Sequence, residues 1–386
     1  MSDKLNTADK LALELTDLFI DLNGFTAATR RRVASMLRVL EGDLIAKLAV
    51  LELEAPESIR RKRIERLIRD VQNTIDRRYV TAEARMKAGM REIAVLANDG
   101  GLRAIAAALT IDIASASLTR PDLKALADVN VVLGEPAKDW WAGQAQATRR
   151  RFARQMRIGI MSGESNDQLI SRVRGKPTGR TIAIEQAGGK FRRIREFQGG
   201  FLDVSRREAD ALVRTSAQSV SNAALMENYQ ANGDVIKGVE AITTLDEKTS
   251  LICIARTGAA WYLNGDPIPE STTDEPFPGP PPWHFRCRSL LSPITYSWDE
   301  LIDKAGGQKL KTIRTVPDSE RASMDGLIGT GSVRSFDDWL RIKGDAFARK
   351  RLGPGRFDLW KSGRLTLSQL IDSAGNPLPL SALRAL

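Results

Sequence analysis

His284 is the single histidine of the 386-residue chain, and it stands three positions before Cys287, one of two cysteines; the other is Cys253. Imidazole and thiol are the side chains that relay protons, attack carbon or bind soft metals near neutral pH. A Ser-His-Asp or Cys-His system would therefore have to use His284 as its base. A nucleophile and its base ordinarily come from different elements, which counts against pairing His284 with Cys287. Zinc asks for four nitrogen or sulfur ligands, or three and a water. The available set is Cys253, His284 and Cys287 with a carboxylate such as Asp246 or Asp274. A structural zinc site usually offers Cys-x-x-Cys, and the corresponding run here reads Ser250-Leu-Ile-Cys253. No phosphate-binding loop competes, because in "GRTIAIEQAGGK" Phe191 follows the lysine where Ser or Thr is required. The residues alone favour a rigid turn: "PFPGPPPWHFRCRSLL" (276–291) sets His284 and Cys287 behind a proline run, with Trp283 and Phe285 as anchors. No metal and no cofactor are expected.

The elements that must position this turn follow from periodicity. In 30–53, Val33, Leu37, Leu40, Leu44, Leu48 and Leu51 make one helical stripe, and Pro56 breaks it. Ile64, Leu67, Ile68, Val71 and Ile75 make a second stripe behind a basic start. A third helix over 81–96 is expected to stop at "NDGG", and a fourth to span 102–118. Arg149–Gly159 reads as a basic helix, with "SGESNDQLISRVRG" as a capped one after it. Residues 175–201, short alternating runs around "AGG", read as a two-stranded excursion or a basic arm. A long helix capped by Asp203 or Ser205 ends at Gly233. "VIKGVEAITTLDEKT" is strand-like, 303–334 loop-like, and Ser335 caps the first of several short C-terminal helices. The expected fold is mainly α with a small α+β domain: a helical bundle (1–125), a compact mixed domain (140–300) with the arm at 175–201, and a small helical C-terminal subdomain (330–386).

Composition narrows the function classes. Hydrophobic residues at 42% and charged residues at 27% suit a globular chain. The longest apolar run, "AIAAALTI", is too short to cross a bilayer, and the polar start lacks signal-peptide features. A protein made in the cytoplasm without membrane attachment is expected. The net charge of +10 is uneven: Trp141–Arg214 holds 16 Lys/Arg against 7 Asp/Glu. Such a concentration suits a surface facing phosphates or an acidic protein, with a solvated helix face as the bland alternative. The candidate contacts are Arg149, Arg150, Arg151, Arg154 and Arg157 on the helix and Arg192, Arg193 and Arg195 on the arm. Between 149 and 214 the only aromatics interleaved with this charge are Phe152, Phe191, Phe197 and Phe201, which counts against a plain nucleic-acid-binding protein.

The order of motifs from 208 to 294 resembles the Mu F-like minor head (head morphogenesis) proteins of tailed bacteriophages. The matching positions are Arg214-Thr215 on a helix, Leu245-Asp246 with Thr249 and Cys253, Gly258 in a turn, and a proline followed by His284, Cys287 and Arg288. "SMDG" at 323–326 and "DDWL" at 337–340 extend it, so it covers about 140–386. Ser216 stands where many relatives have Glu, and Ser250 where many have Cys. The resemblance implies a low-copy, non-enzymatic virion component acting in head assembly near the portal. Its partners would be the portal and other capsid proteins, with packaged DNA as a further contact. It also implies a structural role for the motif residues, closing the proline loop onto a strand carrying Cys253. The alternative is a zinc-dependent nuclease-like or modifying enzyme built on Asp246, Cys253, His284 and Cys287.

Overall fold

The computed structural model describes residues 7–51, 54, 56–109, 118–185, 191–244, 246–269, 271–297, 300–301, 336–372 and 376–385. The fold is mainly α, with a small α+β part, as the periodicities imply. The expectations for 303–334, "SMDG" and the Ser335 cap lie outside the described residues.

The chain divides into two compact units, one of residues 1–22, 94–126 and 218–386, the other of 23–93 and 127–217. This differs from a division into 1–125, 140–300 and 330–386. The N-terminal helices contribute to both units because they are longer than the stripes suggested: α1 runs Thr7–Ala49 and α2 runs Glu57–Leu109. The helix does not stop at "NDGG". Gly100 and Gly101 are interior helical positions, and each lacks a Cβ where a neighbour closes in. A Cβ on Gly100 would lie 2.4 Å from Leu18 Cδ1, and one on Gly101 2.7 Å from Leu225 Cδ2. These glycines serve close packing, which outweighs their cost of about 1 kcal/mol each in helix propensity.

In the unit of 23–93 and 127–217, Val33, Leu37, Leu40, Leu44 and Leu48 of α1 are buried with Ile64, Ile68, Val71 and Ile75 of α2. The short helix α3 (Arg120–Val129), begun in the other unit, leads through the strand pair β1 (Val131–Val132) and β2 (Glu135–Pro136) into α4 (Ala137–Met161). Phe152 and Met156 of α4 join the core. A capping box, with Ser165 and Gln168 satisfying each other's backbone amides, starts α5 (Asn166–Arg174). The two-stranded excursion is present: β3 (Gly175–Glu185) pairs antiparallel with β4 (Phe191–Gly199). The next helix, α6 (Phe201–Ala231), starts before Asp203, whose carboxylate instead accepts from the Gly199 amide.

In the other unit an antiparallel sheet has the order β6-β5-β7, with β5 (Ile236–Ile242) between β6 (Ala260–Tyr262) and β7 (Leu290–Thr295). The helix α7 (Leu251–Ala255) lies in the connection from β5 to β6. Four further short helices follow: α8 (Phe336–Lys343), α9 (Asp345–Leu352), α10 (Pro354–Lys361) and α11 (Leu380–Leu383). They do not form a separate core. Phe336, Leu340, Leu352, Phe357, Trp360, Leu370 and Leu383 share one apolar cluster with Ile254 and Ala255 of α7.

Candidate functional site

One end of α7 gathers most of the chemistry-bearing residues. Ser250 is its N-cap, and the hydroxyl accepts from the Cys253 amide at 3.3 Å. Ile254 and Ala255 anchor the helix in the C-terminal cluster, so its next residue back, Cys253, is held in a fixed direction. Cys253 is therefore on a helix, where the sequence suggested a strand. Gly258, at φ +74°, makes the turn into β6 and donates to the Ala241 carbonyl at 3.0 Å. A side chain there would be strained, which explains glycine at this motif position.

The second half of the site is the turn 284–289. The Cys287 amide donates to the His284 carbonyl at 3.1 Å, and Arg286 sits at φ +62°. This local turn brings His284 and Cys287 to one side, facing Cys253. The two sulfurs are 3.7 Å apart, and His284 Nε2 lies 3.1 Å from Cys253 Sγ and 2.8 Å from Ser250 Oγ. Both cysteines are buried with free thiols. His284 Nδ1 is 2.8 Å from the Phe285 carbonyl, which can only accept, so in the neutral ring Nδ1 carries the proton and Nε2 presents its lone pair. Ser289 Oγ donates to Cys253 Sγ at 3.2 Å. The Ser289 carbonyl in turn accepts from Gln218 Nε2 of α6 at 2.5 Å and from Asn222 Nδ2 at 3.3 Å. Phe285 is exposed where a buried anchor was expected; Trp283 is half-buried and carries the Arg256 guanidinium 4.8 Å above its ring.

The electrostatics concentrate one negative charge on the sulfurs. The hydrogen bond from Cys253 lowers the Cys287 thiol against the opposing effect of burial, helped by the neighbouring His284 ring and by the Ser289 and Trp283 amides. Cys253 is pushed far up, first by the hydrogen bond it gives Cys287 and then by burial. Burial lowers His284, but the hydrogen bond and charge of Cys287 outweigh it, and the ring ends above its ordinary value.

Asp246 is not part of this cluster. Its two carboxylate oxygens take both ends of the Arg288 guanidinium, at 2.6 and 2.7 Å, and one accepts from the Lys248 amide at 2.8 Å. The Arg288 hydrogen bonds bring its pKa down to about 2 against the opposing effect of burial. Thr249 Oγ1 bonds the Thr244 carbonyl and closes the same turn. The four residues of the enzymatic alternative thus separate into a charge pair and a Cys-His-Cys cluster, with the carboxylate committed to Arg288. Arg214 Nε donates to Asp210 and Thr215 Oγ1 to the Ala211 carbonyl, each one turn back along α6. Leu245 lies outside the described residues. The supporting roles of Ser289, Gln218 and Asn222 had no signal in sequence; that of Ser250 had one, the matched spacing S-x-x-C and H-x-x-C.

The basic residues behave differently from a free cationic face. Arg149 pairs with Asp76, Arg151 with Glu208 and Arg157 with Glu65. Arg150 bonds Gln146 at 3.3 Å, and Arg154 is exposed. Arg193 and Arg195 are exposed on β4, two positions apart and so on one face. The side chain of Arg192 lies outside the described residues. Comparison with protein-family models, curated proteins and solved structures found no match to the chain.

Proposed function

We propose that the protein is a low-copy, non-enzymatic virion component of the Mu F-like minor head type, acting in head assembly near the portal. One observation carries the reading. Motif residues 31 to 42 positions apart, Asp246 with Arg288 and Cys253 with His284 and Cys287, meet in one small domain and bond to one another. Residues that depend on each other in this way explain why a motif would hold them in fixed order. Asp246 is bonded to Arg288 at both oxygens, so a scaffold role suits it better than general acid or base chemistry. Partners would be the portal and other capsid proteins, whose acidic surfaces, like packaged DNA, suit the exposed cations of β4.

The test is the composition of particles. Cells carrying the gene in its native neighbourhood are induced, and DNA-filled particles are purified on a density gradient and examined by mass spectrometry. The chain should co-purify with the portal at a few copies per particle. Its absence from particles that contain portal and major capsid protein would overturn the reading.

A further inference from the structure

We propose that Cys253, His284 and Cys287 bind one zinc ion that ties the 284–289 turn to α7, with Ser250 Oγ at the fourth position. This goes beyond the virion reading and does not depend on it. The donor atoms of the three residues all lie within 4.8 Å of one another, and no other cluster of three such ligands occurs among the described residues. Two thiolates on a tetrahedral zinc, each about 2.3 Å from the ion, stand about 3.8 Å apart. The observed sulfur separation is 3.7 Å. The imidazole nitrogen, 3.1 Å from Cys253 Sγ, is nearer than the roughly 3.6 Å such a site holds, a difference a small ring rotation removes.

The surroundings fit a metal as well as the donors do. A zinc-binding histidine commonly gives its other ring proton to a carbonyl, and His284 Nδ1 stands 2.8 Å from the Phe285 carbonyl. Metal thiolates are stabilised by hydrogen-bond donors, and Ser289 Oγ donates to Cys253 while the Ser289 and Trp283 amides bond Cys287. The Arg288–Asp246 fork and the Gln218 bond to Ser289 fix the turn from outside. Ser250 Oγ, 2.8 Å from His284 Nε2 and 3.3 Å from the Cys253 amide, occupies the place of a missing first cysteine in a C-x-x-C…H-x-x-C arrangement. Three protein ligands of soft and borderline character select zinc over magnesium or calcium. The site's burial and its lack of a free acid or base make the ion structural.

The full-length chain, purified in reductant from zinc-supplemented cells and dialysed, is examined by elemental analysis. About one zinc per chain is expected, falling to below about one-fifth in Cys287→Ser, since each ligand is needed to hold the ion. Replacing zinc with cobalt should give the visible absorption of a tetrahedral thiolate complex, which reports the ligands directly. Ser250→Cys completes a four-ligand set and should tighten zinc at least about tenfold in a chelator competition. Metal-free wild-type protein whose two thiols both react with a thiol reagent, or one carrying a Cys253–Cys287 disulfide, would overturn the proposal. An unchanged affinity in Ser250→Cys would overturn the placement of Ser250 at the fourth position.

Discussion

Asp246 shows how one residue's environment becomes a measurable property. The Arg288 fork holds its carboxyl at about 2 where 3.8 is ordinary. A depressed folded-state pKa means that the unfolded chain takes up a proton first as acid is added. The stabilisation is therefore complete above pH 4 and is lost as pH falls from about 4 through 2. Both side chains of the pair are a little over one-third exposed, at 39% and 38%. Solvent screening thus reduces the contribution to about 1 kcal/mol. Urea unfolding of the wild type and Asp246→Asn at pH 7, 4, 3 and 2 should show a gap of that order at neutral pH that closes toward pH 2. A gap independent of pH would mean that the fork contributes through packing and not through charge.

At the scale of elements, the contrast between helical glycines tests why α2 continues through "NDGG". Gly100→Ala gains about 1 kcal/mol of helix propensity. It also drives a methyl to 2.4 Å from Leu18, an overpacking worth about 1–3 kcal/mol. Net destabilisation is expected, read as a lower Tm. Gly42 of α1 is exposed with nothing within 4 Å of a built Cβ, so Gly42→Ala should raise Tm. If both substitutions stabilise, the close packing at Gly100 is not what keeps glycine there. The same position shows what sequence could and could not reveal. The stripes of α1 and α2 were legible because a buried helix face repeats every three or four residues. The continuity of α2 was not, since a glycine that breaks a helix and one that packs it look alike until the neighbouring Leu18 is known. At the site, the trio of Cys253, His284 and Cys287 was legible by rarity and spacing. Its helix was not: five residues of "LICIA" are too few for periodicity to separate helix from strand. Nor was the joining of the C-terminal helices to Ile254 and Ala255, because partnership between distant apolar residues leaves no local mark.

At the scale of the whole molecule the question is where the +10 charge is available to a partner. The run from Trp141 to Arg214 holds most of the excess, yet much of it is internally matched. Arg149, Arg151 and Arg157 reach Asp76, Glu208 and Glu65, and Arg174 and Arg206 both reach Glu41. These arginines are structural. Arg193 and Arg195 are exposed on a hairpin, and charge reversal there removes no ion pair described in the structure. Two triple reversals therefore separate folding from function. Arg149, Arg151 and Arg157 changed to Glu place like charges against three carboxylates and should lower the Tm of the isolated protein by several degrees, for a combined loss of about 2–3 kcal/mol. Arg192, Arg193 and Arg195 changed to Glu should leave Tm within about 2 °C, because exposed charges contribute little to stability. The second variant should nonetheless enter particles poorly or yield particles of low infectivity, and any DNA binding should have a flatter salt dependence. Normal particle content and normal infectivity in that variant would show that the hairpin's cations face only solvent.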